Sequence, residues 1–204
     1  MMPMALATED VLSEAIGLRL LSELPVPVTP SLLLRKGGFG YLRSGMNKWR
    51  QLAERQNVLI LTDLDQVACP VALRSDWLGN KPAPAGLLLR IAVREVESWV
   101  LADHEAMRRL LGQKGNLPPE PDALPDPKQH LLKLAKLASR AVRDDLVKET
   151  GAVASQGIGY NQRLTAWVRS DWSAERAAQR SPSLQRTRLR LHELALRLQG
   201  LEDT

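Results

Sequence analysis

Cysteine, histidine and aromatic side chains are scarce in this chain: 204 residues hold one cysteine, three histidines, two tyrosines, one phenylalanine and five tryptophans. The lone Cys69 excludes an intramolecular disulfide, a thiolate zinc cluster and a dithiol redox pair. It is open to a nucleophilic role, but a single cysteine more commonly packs as a small hydrophobe. His104, His130 and His192 fall in helical stretches without ligand spacing, so surface or core roles are expected for them. No stretch reaches the ~20 apolar residues of a membrane span, and MMPMALATED has neither the basic start nor the long apolar segment of a signal peptide. A cytoplasmic protein with no membrane partner is expected.

A hydrophobic content of 44% suffices for one well-packed domain with a small helical appendage, built on Leu, Val, Ile and Ala. Trp99 and Trp167 are expected to pack. The net charge of +5 favours an anionic partner, nucleic acid first and phosphorylated small molecules second.

Up to about residue 100, apolar strand-like runs alternate with helical ones, the pattern of an α/β fold with a doubly wound, mainly parallel four-stranded sheet. Strands are predicted at residues 4–7, 31–34, 57–63 and 87–93. Helices are predicted at about 10–23, at 42–56 and from about 95. The segment NLPPEPDALPDPK has five prolines in thirteen residues and marks a seam. The chain therefore divides into an α/β core at 1–112, a proline-rich connection at 113–126 and a helical extension at 127–204. Within the extension one helix is predicted to about residue 149, a loop at 151–159, a short helix at 160–168 and an amphipathic helix from 181 to 200.

Residues 57–67, NVLILTDLDQV, carry the most chemistry. A short β-branched apolar run closed by polar groups reads as a buried parallel strand, with Asp63 and Asp65 where it emerges. Residues i and i+2 of a strand point the same way, so both carboxylates can converge on one hard cation, Mg²⁺ or Mn²⁺. Aspartate also serves as a turn or capping residue after strands, which is the ordinary alternative. Ligands of open parallel sheets bind at the carboxyl ends of the strands. Glu9 follows the first strand and Glu95 and Glu97 follow the fourth, so these acids would share a rim with the pair. Each could instead complement a helix N-terminus, as could Asp10. Like charges held close call for a cation, and a metal among them suits phosphodiester or phosphoryl chemistry.

An acid after strand one, Asp-x-Asp after strand three and a basic, helix-rich remainder resemble the TOPRIM fold. REVESWVLAD at 94–103, GYNQRL and SPSLQR further resemble an uncharacterised bacterial TOPRIM-like family, over most of the chain. Such proteins are often encoded beside ABC-type, OLD-like ATPases in phage-defence loci. The resemblance implies a nuclease effector that cuts DNA or RNA. Glu9 would be the general acid or base, Asp63 and Asp65 would hold Mg²⁺, and Glu97 would add a ligand or second acid. Here Glu9 is followed by Asp10, where that fold usually has Glu-Gly. An ATPase is the protein partner the resemblance brings in; further copies of the chain are a separate candidate partner.

Arg35, Lys36, Arg43 and Lys48 surround the KGGFG turn and are candidate contacts to a nucleic-acid backbone, as are Arg186, Arg188 and Arg190. The turn lacks the Lys and Ser/Thr of a P-loop. Tyr160 and Asn161 fall at a loop-to-helix junction. Two other readings stand beside the nuclease. DLDQV matches the start of haloacid-dehalogenase-like phosphatases, although those carry the motif on the first strand. A catalytically inactive TOPRIM-like adaptor would dock on an ATPase or bind nucleic acid, using the apolar stripe of the last helix.

Overall fold

A computed structural model describes residues 2–36, 39–150, 153–198 and 200. Four strands, β1 (Met2–Thr8), β2 (Val28–Arg35), β3 (Asn57–Asp63) and β4 (Leu87–Ala92), form one all-parallel sheet in the order β2-β1-β3-β4. Side chains alternate across it. Met4, Leu6, Leu59 and Leu61 enter the hydrophobic cluster on one face, and Ala5, Ala7, Val58 and Ile60 enter that on the other. Leu6 is flanked by Leu33 and Leu59, and Leu59 by Leu88.

Parallel strands need crossovers, and right-handed ones fix which face each helix covers. The chain moves from β1 outward to β2 through α1 (Val11–Ser22), then back past β1 to β3 through α2 (Phe39–Ser44) and α3 (Met46–Ala53). It continues to β4 through α4 (Pro70–Leu78). Reversal of direction puts α1 on one face and α2, α3 and α4 on the other, as the two clusters show. The switch of direction lies between β1 and β3, where an open α/β sheet forms its ligand crevice. The helix predicted at 42–56 is interrupted at Gly45, where a Cβ would stand 2.7 Å from the Trp49 indole nitrogen.

After β4 come α5 (Glu97–Ala102), α6 (His104–Leu111), a 3₁₀ turn (Pro121–Ala123), α7 (Pro127–Ala135) and α8 (Arg140–Leu146). The chain closes with α9 (Tyr160–Ser170), α10 (Ala174–Ala178) and α11 (Pro182–Leu198). These helices join α1 in one continuous core, with Trp99, Trp172 and Tyr160 among its largest buried side chains. Indole N–H groups are satisfied there: Trp99 donates to Ser183 Oγ at 2.6 Å, Trp172 to the Trp99 carbonyl at 3.1 Å and Trp167 to that of Ala106 at 3.3 Å. No described helix is long and apolar enough to cross a membrane.

Two predictions fail here, the helix to residue 149 and the loop at 151–159, in which residues 153–156 form a strand. The helix expected to run to residue 149 stops at Ala135, resumes at Arg140 and gives way at Val147 to an antiparallel hairpin, β5 (Val147–Thr150) and β6 (Val153–Gln156). Val147 and Ala154 are buried against the helical core, and that burial, with the β preference of the branched residues, overrides continuation of the helix. Gly157 then passes so close to α8 that a Cβ would lie 2.3 Å from the Asp145 carbonyl oxygen. Gly37, Gly38, Gly151 and Ala152, and with them the predicted glycine-rich turn, lie outside the described residues.

Candidate active site

The sheet's carboxyl rim gathers the predicted acids because all four strands end on that side. Glu9 directly follows β1 and precedes Asp10, whose carboxylate caps α1 by accepting from Ser13 N at 2.7 Å. Glu9 Oε1 accepts from Thr62 Oγ1 and, at 3.3 Å, from Asp63 N, so β3 holds the acid that ends β1. Asp63 Oδ1 accepts from Val96 N at 2.9 Å, which orients it toward the segment after β4. Glu97, only 2% exposed, opens α5. Its Oε1 accepts from Tyr160 Oη at 2.9 Å and stands 3.3 Å from Lys128 Nζ.

Asp65 differs from expectation. Strand β3 ends at Asp63, and Asp65 adopts φ +49°, so strand alternation does not align the two carboxylates. A tight turn brings its charge within reach of Glu9 and Asp63 instead. Arg94 mirrors it with φ +61°; Asp65 N donates to the Arg94 carbonyl at 2.8 Å and Arg94 Nη1 to the Asp65 carbonyl at 2.9 Å. Two non-glycine residues in the left-handed region cost roughly 1–3 kcal/mol each and persist only where surroundings over-determine them.

Electrostatics mark the same place. Burial, then the charges of Glu97 and Glu9, push Asp63 well above the usual carboxylate range. Burial raises Glu97, against the pull of Lys128, and raises Glu9, against its hydrogen bonds from Thr62 and Asp63. Burial alone would depress the Lys128 ammonium; Glu97 and Glu95 reverse that and hold it above its ordinary value. Glu95 also accepts from Lys128 N at 3.0 Å, so it caps α7 across space. Tyr160 is pushed well above its ordinary value by burial and by Glu97.

The donor set consists of hard oxygens, and Glu97 Oε2 is buried with no hydrogen-bond partner among the described residues. Such an orphan and the crowded charges around Asp63 are what a hard cation relieves. No three acids, histidines or cysteines among the described residues stand together as a ready metal cage. Mg²⁺ is commonly held by one or two carboxylates, with waters and substrate phosphates completing the shell, so this donor set fits Mg²⁺ or Mn²⁺ on that pattern.

A stability consequence follows for the metal-free protein. Glu9, Asp63 and Glu97 hold protons more tightly when folded than when unfolded. Above the ordinary carboxylate range the native state therefore binds more protons, and stability falls as pH rises through the raised values. In EDTA the unfolding free energy should climb by about 1 kcal/mol or more as pH drops from 8 toward 5, one pKa unit being ~1.36 kcal/mol, and the urea midpoint should climb with it. A midpoint that is flat or lower at pH 5 would contradict the shifts.

The basic candidates are less concentrated. Arg35 ends β2 on the same rim, 3.6 Å from Glu14 of α1, and Lys36 follows it, exposed. Arg43 is tied to Asp76 of α4 at 3.0 Å and Lys48 is exposed on α3. Cys69 is exposed rather than buried; its sulfur caps α4, accepting from Ala72 N at 3.4 Å. Sequence reasoning gave no role to Lys128 or Arg94 and placed Tyr160 only at a loop-to-helix junction. Nothing local to Lys128 and Tyr160 announces the site, because α7 and α9 reach it only through tertiary packing, and the left-handed backbone of Arg94 leaves no mark in the sequence. Comparison with protein-family models, curated proteins and solved structures gives no match for this chain.

Proposed function

We propose that this chain is a Mg²⁺- or Mn²⁺-dependent TOPRIM-like nuclease that cleaves nucleic-acid phosphodiesters and acts with an ATPase partner in bacterial antiviral defence. The observation that carries the reading is the buried Asp63 at the carboxyl rim of a parallel sheet, opposed by the charges of Glu97, Glu9 and Asp65, with Glu97 Oε2 buried and without a hydrogen-bond partner among the described residues. A bound divalent cation would polarise a phosphoryl oxygen and lower the pKa of a bound water. The rest of the chemistry belongs to the protein. Asp63 and Glu97, held in place by Val96 N and Tyr160 Oη, would be the ligand carboxylates, with Asp65 beside them. Glu9, with its raised pKa, carries the proton between nucleophile or leaving group and solvent. Lys128 remains an ammonium and offsets phosphate charge. Arg35 and Lys36, on the same rim, track the nucleic-acid backbone.

One observation favours a second reading, the inactive adaptor: the Lys128 ammonium already stands among the acids, 3.3 Å from Glu97. The purified protein, with and without a candidate ATPase partner, is to be incubated with DNA and RNA in Mg²⁺ or Mn²⁺. Metal-dependent cleavage lost in the Asp63→Ala, Asp65→Ala double variant supports the nuclease; cleavage that survives it, or no cleavage in any combination, overturns it.

A further inference from the structure

Arg90 is an arginine in the middle of LLLRIA, the otherwise apolar β4, and that strand is an edge of the sheet. Beside it, between β4, α4 and α11, lies a cavity of about 290 Å³. Among the described residues, four arginines, Arg74, Arg90, Arg190 and Arg197, and one acid, Glu193, line it. Arg190 Nη1 takes that acid at 2.6 Å. Arg90 Nε donates to Thr187 Oγ1 at 3.4 Å, a long contact, and no carboxylate pairs with Arg90 among the described residues. Burial and the neighbouring charges of Arg74, Arg190 and Arg186 lower the Arg90 guanidinium to about 10. A half-buried cation such as Arg90, crowded by the like charges of exposed arginines, is unfavourable until an anion enters.

We propose that this cavity is a second binding site, separate from the carboxylate rim, that takes the phosphate of a compact phosphate ester the size of a mononucleotide. The guanidinium fork of Arg90 is the central donor, since its planar N–H groups match phosphate oxygens in pairs. Arg74 and Arg190 close on the anion from α4 and α11. Leu88 and Leu194 supply apolar wall for the ester's body. The volume lies near the lower end of the ~300–1,000 Å³ of ligand pockets, which suits a small ester rather than a polymer. Ala85 and Leu87 place the cavity at the amino half of β4, whereas the acids follow the carboxyl ends of the strands. The inference therefore does not depend on the nuclease reading. The bland alternative is an arginine whose stem lies on apolar surface while its head reaches water.

Thermal shift and titration calorimetry on the full chain, in EDTA, decide between them. The probes are inorganic phosphate, a nucleoside 5′-monophosphate, the parent nucleoside and sodium chloride at matched ionic strength. The wild type should show a saturable response to phosphate and bind the monophosphate at least tenfold more tightly than the nucleoside. Arg90→Gln should weaken that binding at least tenfold, and Arg74→Gln and Arg190→Gln, at exposed positions where folding is not at risk, severalfold each. Asp63→Asn should leave it intact. The proposal is overturned if chloride reproduces the phosphate response, if all three arginine variants bind as wild type does, or if Asp63→Asn abolishes binding. Binding of a single-stranded oligonucleotide without any of the monophosphate overturns it as well.

Discussion

Asp63→Asn should raise the stability of the metal-free protein at pH 8 and abolish metal-dependent activity. The carboxylate is costly where it stands, because burial and the charges of Glu97, Glu9, Asp10 and Asp65 all oppose its ionisation. Asparagine keeps an oxygen to accept from Val96 N and removes the charge. Relief of this kind at a functional site is worth about 0.5–2 kcal/mol. Activity should fall at least about a hundredfold, the scale of losing one electrostatic contact in a transition state. Urea denaturation in EDTA reads the first effect and cleavage rates the second. A variant less stable than wild type at pH 8 would mean that Asp63 is an ordinary structural carboxylate.

Asp103→Ala should cause the largest loss of stability. Asp103 is fully buried between α5 and α6. It accepts from Arg176 Nε and Nη2 at 2.9 and 2.8 Å, from Ser173 N at 2.8 Å and from Ala106 N at 3.2 Å. The carboxylate thus caps α6 and clamps α10 to it. Alanine removes this acceptor from all four donors; because Arg176 is one-third exposed and keeps the Asp171 carbonyl, the loss is about 3 kcal/mol, the lower end for a buried pair. At ~2–4 °C per kcal/mol for a chain of this size, the melting temperature should fall by on the order of 10 °C. Asp144→Ala, which removes an exposed (i, i+4) pair with Arg140, should cost no more than about 0.5 kcal/mol. Similar losses in the two variants would refute the assignment of Asp103 as a clamp.

The sheet was legible because its strands announce themselves locally: NVLILTD and LLLRIA are apolar runs ended by turns, and parallel pairing then sends Glu9, Asp63 and Glu97 to one rim. Resolution was lost wherever tertiary context decides. The stretch from Asp126 is helical by propensity, yet burial of Val147 turns its end into a hairpin. Asp65 lies two residues after Asp63, and spacing alone could not reveal that the backbone turns left-handed between them. Lys128 enters the acid cluster from 31 positions beyond Glu97, and Tyr160 from 63, distances over which no periodicity operates. Arg90 carried an unread cue, a charge inside an apolar strand, whose meaning depends on which helix covers that face.

The account rests on a divalent cation at the carboxylate rim, and calorimetric titration of Mn²⁺ into the wild type and Asp63→Asn measures that directly. Saturable binding by the wild type, stronger at pH 8 than at pH 6 and lost in the variant, is the predicted result. No binding by the wild type, or equal binding by both proteins, would contradict it.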